Sequence, residues 1–154
     1  MAEVRAETMP GYRISKVCRV PLDYAFAWLT DFRDDDAKMI GGKPRKILRR
    51  TKRNFVWIQP YTRDGVDKIG VRIVTLRPPD SWHNDVINEE KESKFDYHLT
   101  PVGRSTKLTI TAKIKYKTIK PEKMRELARN LNAEWDKYRA ALEKDYSSGK
   151  PATV

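Results

Sequence analysis

The hydrophobic and polar positions of the chain follow two different periods. Over residues 12–20 the period is close to two, which predicts a strand. After Pro21, apolar residues recur at three- and four-residue spacing and predict a short amphipathic helix over residues 21–30, because proline is tolerated in the first helical turn. Residues 31–38 are predicted to add a further helical turn, which ends before Gly41.

Beyond these glycines the period-two pattern returns and predicts six more strands, with short connectors such as Asp64-Gly65 between them. Because parallel strands need long crossovers, the short connectors indicate an antiparallel meander. The last strand alternates most regularly, with Leu108 and Ile110 on one face and Lys107 and Thr109 on the other. The predicted strands are residues 45–50, 55–63, 68–77, 82–90, 95–101 and 107–118.

A long amphipathic helix is predicted over residues 121–146, where an apolar stripe includes Leu131, Trp135 and Tyr138. It would be nearly 40 Å long at about 1.5 Å per residue, enough to lie across a sheet. The chain shows no internal repeat and no linker. We therefore expect one domain over residues 12–146, with a flexible lead-in at 1–11 and a frayed tail at 147–154.

The predicted order, β-α-α-β-β-β-β-β-β-α, indicates an α+β protein in which a curved seven-stranded antiparallel sheet wraps around the C-terminal helix. Local phrases agree with this order: VPLDYAFAWLTDF, AEWDKYRAALE and above all YHLTPVGRSTKLTIT, with Leu99-Thr100-Pro101, Gly103 and Thr106. In these phrases and in element order the chain resembles the START-like, polyketide cyclase and birch-pollen-allergen superfamily, which has the helix-grip fold. The resemblance implies a ligand cavity between sheet and helix, and members include lipid and quinone carriers and aromatase/cyclases.

Aromatic and branched residues supply a lining for such a cavity, although the alternative is that they simply fill the core. The sequence does not decide whether odd- or even-numbered residues face the helix in residues 55–61, 69–77 and 82–88. The predicted lining residues are Trp57, Tyr61, Ile73, Trp82, Val86, Phe95, Tyr97, Ile110, Ile114, Leu131, Trp135 and Tyr138.

The positive charge of the chain is concentrated in two segments, residues 43–53 and residues 107–123. Lys and Arg number 32 against 21 Asp and Glu, a net charge of +11. In the fold that the chain resembles, the first strand lies between the second and the last, so Arg13 and Arg19 would join both segments into one basic outer face. An anionic membrane, an acidic protein or a nucleic-acid backbone would bind such a face. Alternatively, exposed lysines on edge strands discourage aggregation. The residues predicted for this surface are Lys43, Arg45, Lys46, Arg49, Arg50, Lys113, Lys115 and Lys117.

Nucleic acid is the least favoured of these partners, because residues 43–53 hold one basic cluster without an aromatic residue for base stacking before Phe55. No apolar run approaches the ~20 residues that span a bilayer. A single cysteine, Cys18, excludes an internal disulfide and favours a buried thiol in a cytoplasmic protein.

Catalytic chemistry has little support in the sequence. His83 and His98 are expected at the surface, and Asp34-Asp35-Asp36 reads as a solvated helix end, so we expect no metal and no cofactor. A cyclase would need a proton donor or acceptor in the cavity, for which Arg77, Asp85, Tyr61 and Tyr97 are available without forming a recognisable pair. We therefore predict a carrier or binding protein for a hydrophobic lipid, quinone or aromatic compound, with a cyclase/aromatase enzyme or an adaptor for anionic surfaces as alternatives.

Overall fold

Seven strands form one antiparallel sheet, as the computed structural model shows for the residues that it describes, 10–32, 45–116 and 120–153. The strand order is β1-β7-β6-β5-β4-β3-β2. The strands are β1 (Gly11–Cys18), β2 (Lys46–Arg50), β3 (Asn54–Arg63), β4 (Val66–Arg77), β5 (Ser81–Ile87), β6 (Lys91–Val102) and β7 (Ser105–Tyr116).

Tight turns connect the long hairpins. Between β3 and β4, Asp64 and Gly65 have φ angles of 52° and 75°, which are the two positive angles of a type I′ turn. Between β6 and β7, Gly103 has φ +60°, where glycine carries no Cβ penalty. These turns keep consecutive strands adjacent and antiparallel, as the short connectors predicted.

Two helices flank the sheet. Helix α1 (Leu22–Leu29) begins after Pro21 and buries Ala25 and Trp28. Helix α2 (Pro121–Ser147) has proline in its first turn and is close to the predicted 121–146. The further helical turn predicted at residues 31–38 falls almost wholly outside the described residues.

Helix α2 packs along β1 and is fixed there by two ion pairs. The Lys16 Nζ lies 2.6 Å from an Asp136 carboxylate oxygen, and the Arg19 Nε lies 2.9 Å from Glu143. Near the end of the helix Leu142 is fully buried, while the Trp28 indole N–H donates to Asp145 at 2.9 Å and ties α1 to α2. The helix therefore covers one face of the sheet, which we call the inner face.

The inner face carries the core. On β7, Leu108, Ile110, Ala112 and Ile114 are buried there, while Lys107, Lys113 and Lys115 are exposed on the opposite, outer face. The sheet, the long helix and their order confirm the predicted α+β helix-grip fold.

The expected place of the first strand is wrong. Within the described residues β1 pairs with β7 alone, so β1 and β2 lie at opposite ends of the strand order. Hairpin connections make each of the strands from β2 to β7 a neighbour of the next one along the chain. The first strand, β1, precedes α1 and pairs with β7 at the opposite end from β2. In the same part of the chain, no helix combines the length and apolar character needed to cross a bilayer.

Candidate ligand-binding site

Strand register defines which side chains of β3, β4 and β5 face α2. Trp57 pairs with Arg72, Val74 with Asn84, and Trp82 with Tyr97. Trp57 and Val74 have no exposed surface, and Trp82 is 2% exposed. The inner face therefore takes odd-numbered residues on β3 and even-numbered residues on β4 and β5.

Most of the predicted lining residues lie on this side of the sheet or on α2. Leu131, Trp135 and Tyr138 of α2 are half-buried against the core. The residues on inner-face positions of the strands are Trp57, Tyr61, Trp82, Val86, Phe95, Tyr97, Ile110 and Ile114.

Ile73 was predicted to line the cavity, and its placement is wrong. It pairs with Val56 on one side and with Asp85 on the other, and all three lie on the outer face. Its chain neighbours Arg72 and Val74 take the inner positions, because successive side chains of a strand point to opposite faces.

Four aromatic side chains form a cluster where β5 and β6 meet α2. The rings of Trp82 and Tyr97 are stacked, with centroids 4.8 Å apart and planes 5° apart. Trp135 reaches Tyr97 at 5.6 Å and Tyr138 at 5.2 Å. The cluster offers flat apolar surfaces, whereas Trp57 lies farther along the sheet against Phe32, at 5.4 Å.

A second group of inner-face side chains is polar, and we call Trp57, Arg72, Asn84 and Ser93 the polar patch. Trp57, Arg72 and Ser93 lie in one cross-strand row together with Val86, and Asn84 lies in the next row. Asn84 and Ser93 are 2% and 1% exposed. The guanidinium of Arg72 lies 5.7 Å from the Trp57 ring centroid.

Buried atoms of the polar patch have no hydrogen-bond partner among the described residues: Trp57 Nε1, Arg72 Nε, Asn84 Oδ1 and Ser93 Oγ. The Tyr61 hydroxyl, farther along β3, shares this property. Buried polar groups in native proteins are nearly always satisfied by protein, water or ligand. Their concentration on one face makes the polar patch a candidate site for the polar groups of a ligand.

Burial raises the pKa values of two ionisable groups near the polar patch, Tyr97 and Glu134. It raises the pKa of the Tyr97 hydroxyl to about 12, and the Asn84 amide lies 3.5 Å from that hydroxyl. Burial also raises the pKa of Glu134 on α2, an effect that Arg72 and Lys91 partly oppose. Tyr97 is therefore a neutral hydrogen-bonding group at physiological pH, and Glu134 is a carboxyl group in a poorly solvated place.

Two of the groups considered for catalysis lie away from this region. Arg77 is exposed at the end of β4, on an outer-face position. Asp85 is also on the outer face, where it accepts from Lys94 at 3.3 Å and lies 3.0 Å from the His83 ring nitrogen. His98 is exposed. Neither Arg77 nor Asp85 can therefore act on a ligand between the sheet and α2.

Sequence reasoning missed Arg72, Asn84, Ser93 and Glu134. The available signal was a polar residue two positions away from a buried apolar residue on the same strand, and therefore on the same face. Arg72, two positions before Val74, is an example. That signal needed the parity of β4 and β5, which the sequence left open.

Among the residues that the structure describes, the basic side chains do not form the continuous outer face that we expected. Lys46 and Arg49 lie on β2, and Lys113 and Lys115 lie on β7, five strand intervals or about 24 Å away. Arg45 stacks over Trp57 with its guanidinium 4.4 Å from the ring centroid, so it belongs to the inner side. Arg50 donates to the Phe32 carbonyl at 2.8 Å. Lys43 and Lys117 lie outside the described residues.

Known structures share this architecture at low sequence identity. The Zhui aromatase/cyclase from Streptomyces sp. R1128 superposes with a TM-score of 0.76 at 14% identity, over 92% of this chain and 99% of that chain. Ara h 8.0201 gives 0.73 at 10% identity, over 87% and 97% of the two chains. Major latex-like protein 151 from Panax ginseng gives 0.66 at 15% identity, also over 87% and 97%.

No protein-family model and no curated protein matches the sequence. The likeness to the three structures is therefore one of fold, and it agrees with the resemblance that the sequence phrases indicated. The chain has the helix-grip fold found in an aromatase/cyclase and a major latex-like protein.

Proposed function

We propose that this protein binds a hydrophobic, ring-bearing small molecule between the inner face of the sheet and α2. The observation that carries the proposal is the polar patch, whose buried atoms lack partners beside a cluster of aromatic rings. The fold shared with an aromatase/cyclase and a major latex-like protein supports the same conclusion.

The chemistry of the polar patch specifies the polar groups of the ligand. The Trp57 indole and the Arg72 Nε are donors and suit a carbonyl, carboxylate or phenolate oxygen. Asn84 Oδ1 is an acceptor and suits a hydroxyl group, and the Ser93 hydroxyl takes either role. An aromatic compound that carries both a carbonyl and a hydroxyl therefore fits better than a simple hydrocarbon or fatty acyl chain.

The aromatic cluster complements this assignment. Trp82, Tyr97 and Trp135 present ring faces and edges to a flat ligand, which gains from offset stacking in addition to burial. Tyr97 remains protonated at neutral pH and adds a neutral hydroxyl. A fused-ring hydroxyquinone of the polyketide type has both features.

A matched pair of arginines on β4 tests the proposal. Binding of a dihydroxyanthraquinone is followed by tryptophan fluorescence for the wild type, Arg72→Met and Arg77→Met. Loss of a hydrogen bond from a charged donor costs about 1.5–3 kcal/mol, so Arg72→Met is expected to weaken binding about 10- to 100-fold. Arg77→Met is expected to bind as the wild type, because that side chain is exposed on the outer face.

Anthracene serves as the ligand without polar groups. We expect it to bind the wild type more weakly than the dihydroxyanthraquinone and to be insensitive to Arg72→Met. Equal losses in the two arginine variants, or no binding of either compound by the wild type, would refute the proposed function.

A cyclase activity is the second candidate, and Glu134 favours it. The raised pKa of this carboxyl and its place opposite Arg72 suit a general acid or base. If the protein catalyses ring closure of a poly-β-ketone, Glu134→Gln is expected to abolish turnover and its pH dependence while retaining binding. Absence of turnover by the wild-type protein would leave the binding function alone.

A further inference from the structure

A carboxyl group of α2 and a guanidinium group of β4 face each other between the helix and the inner face of the sheet. Glu134 is half-buried and lies on the same side of α2 as Leu131 and Tyr138, one turn before and one turn after it. Arg72 is half-buried on the inner face of β4, beside Trp57. Burial raises the pKa of Glu134, and the charge of Arg72 is the largest effect that opposes this rise. The two groups are therefore within electrostatic reach of each other.

This cation and this carboxyl group do not form an ion pair. Among the residues that the structure describes, neither Arg72 nor Glu134 has a hydrogen-bond or ion-pair partner, and the Arg72 Nε is buried as well. A charge in a poorly solvated place is costly unless it is paired and hydrogen-bonded. The space between the two side chains is therefore suited to a polar group of a ligand that contacts both of them.

We propose that Glu134 selects the charge of the ligand group that contacts Arg72, and that protonation of Glu134 reverses the selection. The proposal rests on the proposed function, because it concerns the same ligand and the same site. Arg72 is always a donor, so it needs an acceptor oxygen. An ionised Glu134 is an acceptor only and repels an anion, whereas a protonated Glu134 is uncharged and donates its O–H.

Each state of Glu134 favours a different class of aromatic ligand. With the ionised carboxylate, the best ligand group is neutral and carries an acceptor beside a donor, as a carboxamide or a hydroxyl next to a carbonyl does. With the protonated carboxyl group, a ligand carboxylate accepts hydrogen bonds from Arg72 and Glu134 together. Acidification therefore shifts the preference from neutral to anionic ligands, and by linkage a bound carboxylate promotes proton uptake by Glu134.

Titratable and charged groups from β4, β6 and α2 surround Glu134. The cations Arg72, Lys91 and Lys137 favour its ionised form. The phenol of Tyr97 on β6 stays neutral, because its pKa is about 12, and Tyr138 is the other phenol on this side of α2. The histidines, the side chains that most often titrate near neutral pH, number two in the chain and lie on the outer face, at positions 83 and 98.

Two anthraquinones that differ in charge test the proposal. Anthraquinone-2-carboxylate is anionic between about pH 5 and about pH 8, and anthraquinone-2-carboxamide is neutral throughout this range. Their affinities for the full chain are measured by tryptophan fluorescence as the pH is lowered. The affinity for the carboxylate, relative to that for the carboxamide, is expected to rise at least about tenfold as repulsion from Glu134 is lost.

Glu134→Gln and Glu126→Gln are the matched variants, because Glu126 lies on the exposed side of α2. In Glu134→Gln the ratio of the two affinities is expected to be independent of pH and at least as high as the wild-type ratio in acid. Glu126→Gln is expected to follow the wild type, and circular dichroism confirms that each variant is folded. Calorimetry near pH 6, in two buffers of different ionisation enthalpy, should detect proton uptake when the wild type binds the carboxylate but not when it binds the carboxamide.

The outcomes separate this proposal from the proposed function. If both anthraquinones bind and their affinity ratio is the same at every pH, selection by Glu134 is overturned while the proposed function stands. The same conclusion follows if Glu134→Gln retains the pH dependence of the wild type. If neither compound binds at any pH, the proposed function is refuted, and selection by Glu134 is refuted with it.

Discussion

At the scale of single residues, the site depends on polar side chains held in buried positions. Trp57 has no exposed surface, yet its indole N–H has no partner among the described residues, and the Ser93 hydroxyl is in the same state. Leaving a buried polar group unsatisfied costs about 1–3 kcal/mol. A ligand that forms hydrogen bonds with several such groups in one patch would remove this cost on binding.

Glu134 makes a specific prediction about stability. Its pKa is raised above the ordinary 4.5, mainly by burial, so the folded state disfavours the charged carboxylate. The contribution of Glu134 to stability is therefore greatest below pH 4.5 and is lost as the pH rises through the folded-state pKa. Glu134→Gln should be more stable than the wild type at neutral pH, with no gain at acidic pH.

Urea unfolding at the two pH values measures this difference, with Glu126→Gln on the exposed side of α2 as control. A Glu134→Gln variant that is less stable than the wild type at neutral pH would show that the carboxylate makes a stabilising contact.

At the scale of elements, helix α2 performs two tasks along its length. Its later turns fix it to the rest of the fold through Leu142 and the Arg19–Glu143 ion pair. Its central turns carry Leu131, Trp135 and Tyr138 to the aromatic cluster. The later turns of the helix thus hold it in place, and its central turns form one wall of the proposed site.

Trp135→Ala tests this division. The side chain is half-buried and contacts Tyr97 and Tyr138, so we expect a loss of about 2–3 kcal/mol in unfolding free energy and clearly weaker binding of the dihydroxyanthraquinone. Asn132→Ala, on the exposed face of the same helix, should change neither. If Trp135→Ala binds the dihydroxyanthraquinone as tightly as the wild type, α2 does not contribute to the binding site through this residue.

Sequence patterns predicted the elements well and the faces of the middle strands poorly. In β7 and α2 the apolar residues follow one period, and the expected faces are those observed. In β4 both faces carry apolar residues, because Val71 and Ile73 lie on the outer face while Val74 and Leu76 lie in the core. Hydrophobicity alone therefore cannot distinguish the two parities, which is why Ile73 was misplaced and Arg72 was missed.

At the scale of the whole molecule, the strand order separates the basic residues and leaves two unequal sheet edges. β7 is paired on both sides, by β1 and β6, whereas β2 has five residues, a register shift and one neighbour, β3, within the described chain. The basic residues of the described strands are consequently spread over distant surfaces and do not form one continuous outer face.

Native-state hydrogen exchange should follow this asymmetry. We expect the amides of β7 to exchange through global unfolding and those of β2 to exchange much faster through local opening, because β2 has few supporting contacts. Protection of β2 equal to that of β7 would indicate that β2 has a further partner in solution.

The most direct test of the binding site is the indole resonance of Trp57 in a ¹⁵N–¹H spectrum, recorded with and without saturating dihydroxyanthraquinone. The Trp28 indole already donates to Asp145 at 2.9 Å and serves as an internal control. If a ligand oxygen accepts a hydrogen bond from the Trp57 indole N–H, the indole proton resonance of Trp57 moves downfield, while that of Trp28 does not change. A saturated complex in which the Trp57 resonance does not move would contradict the proposed site.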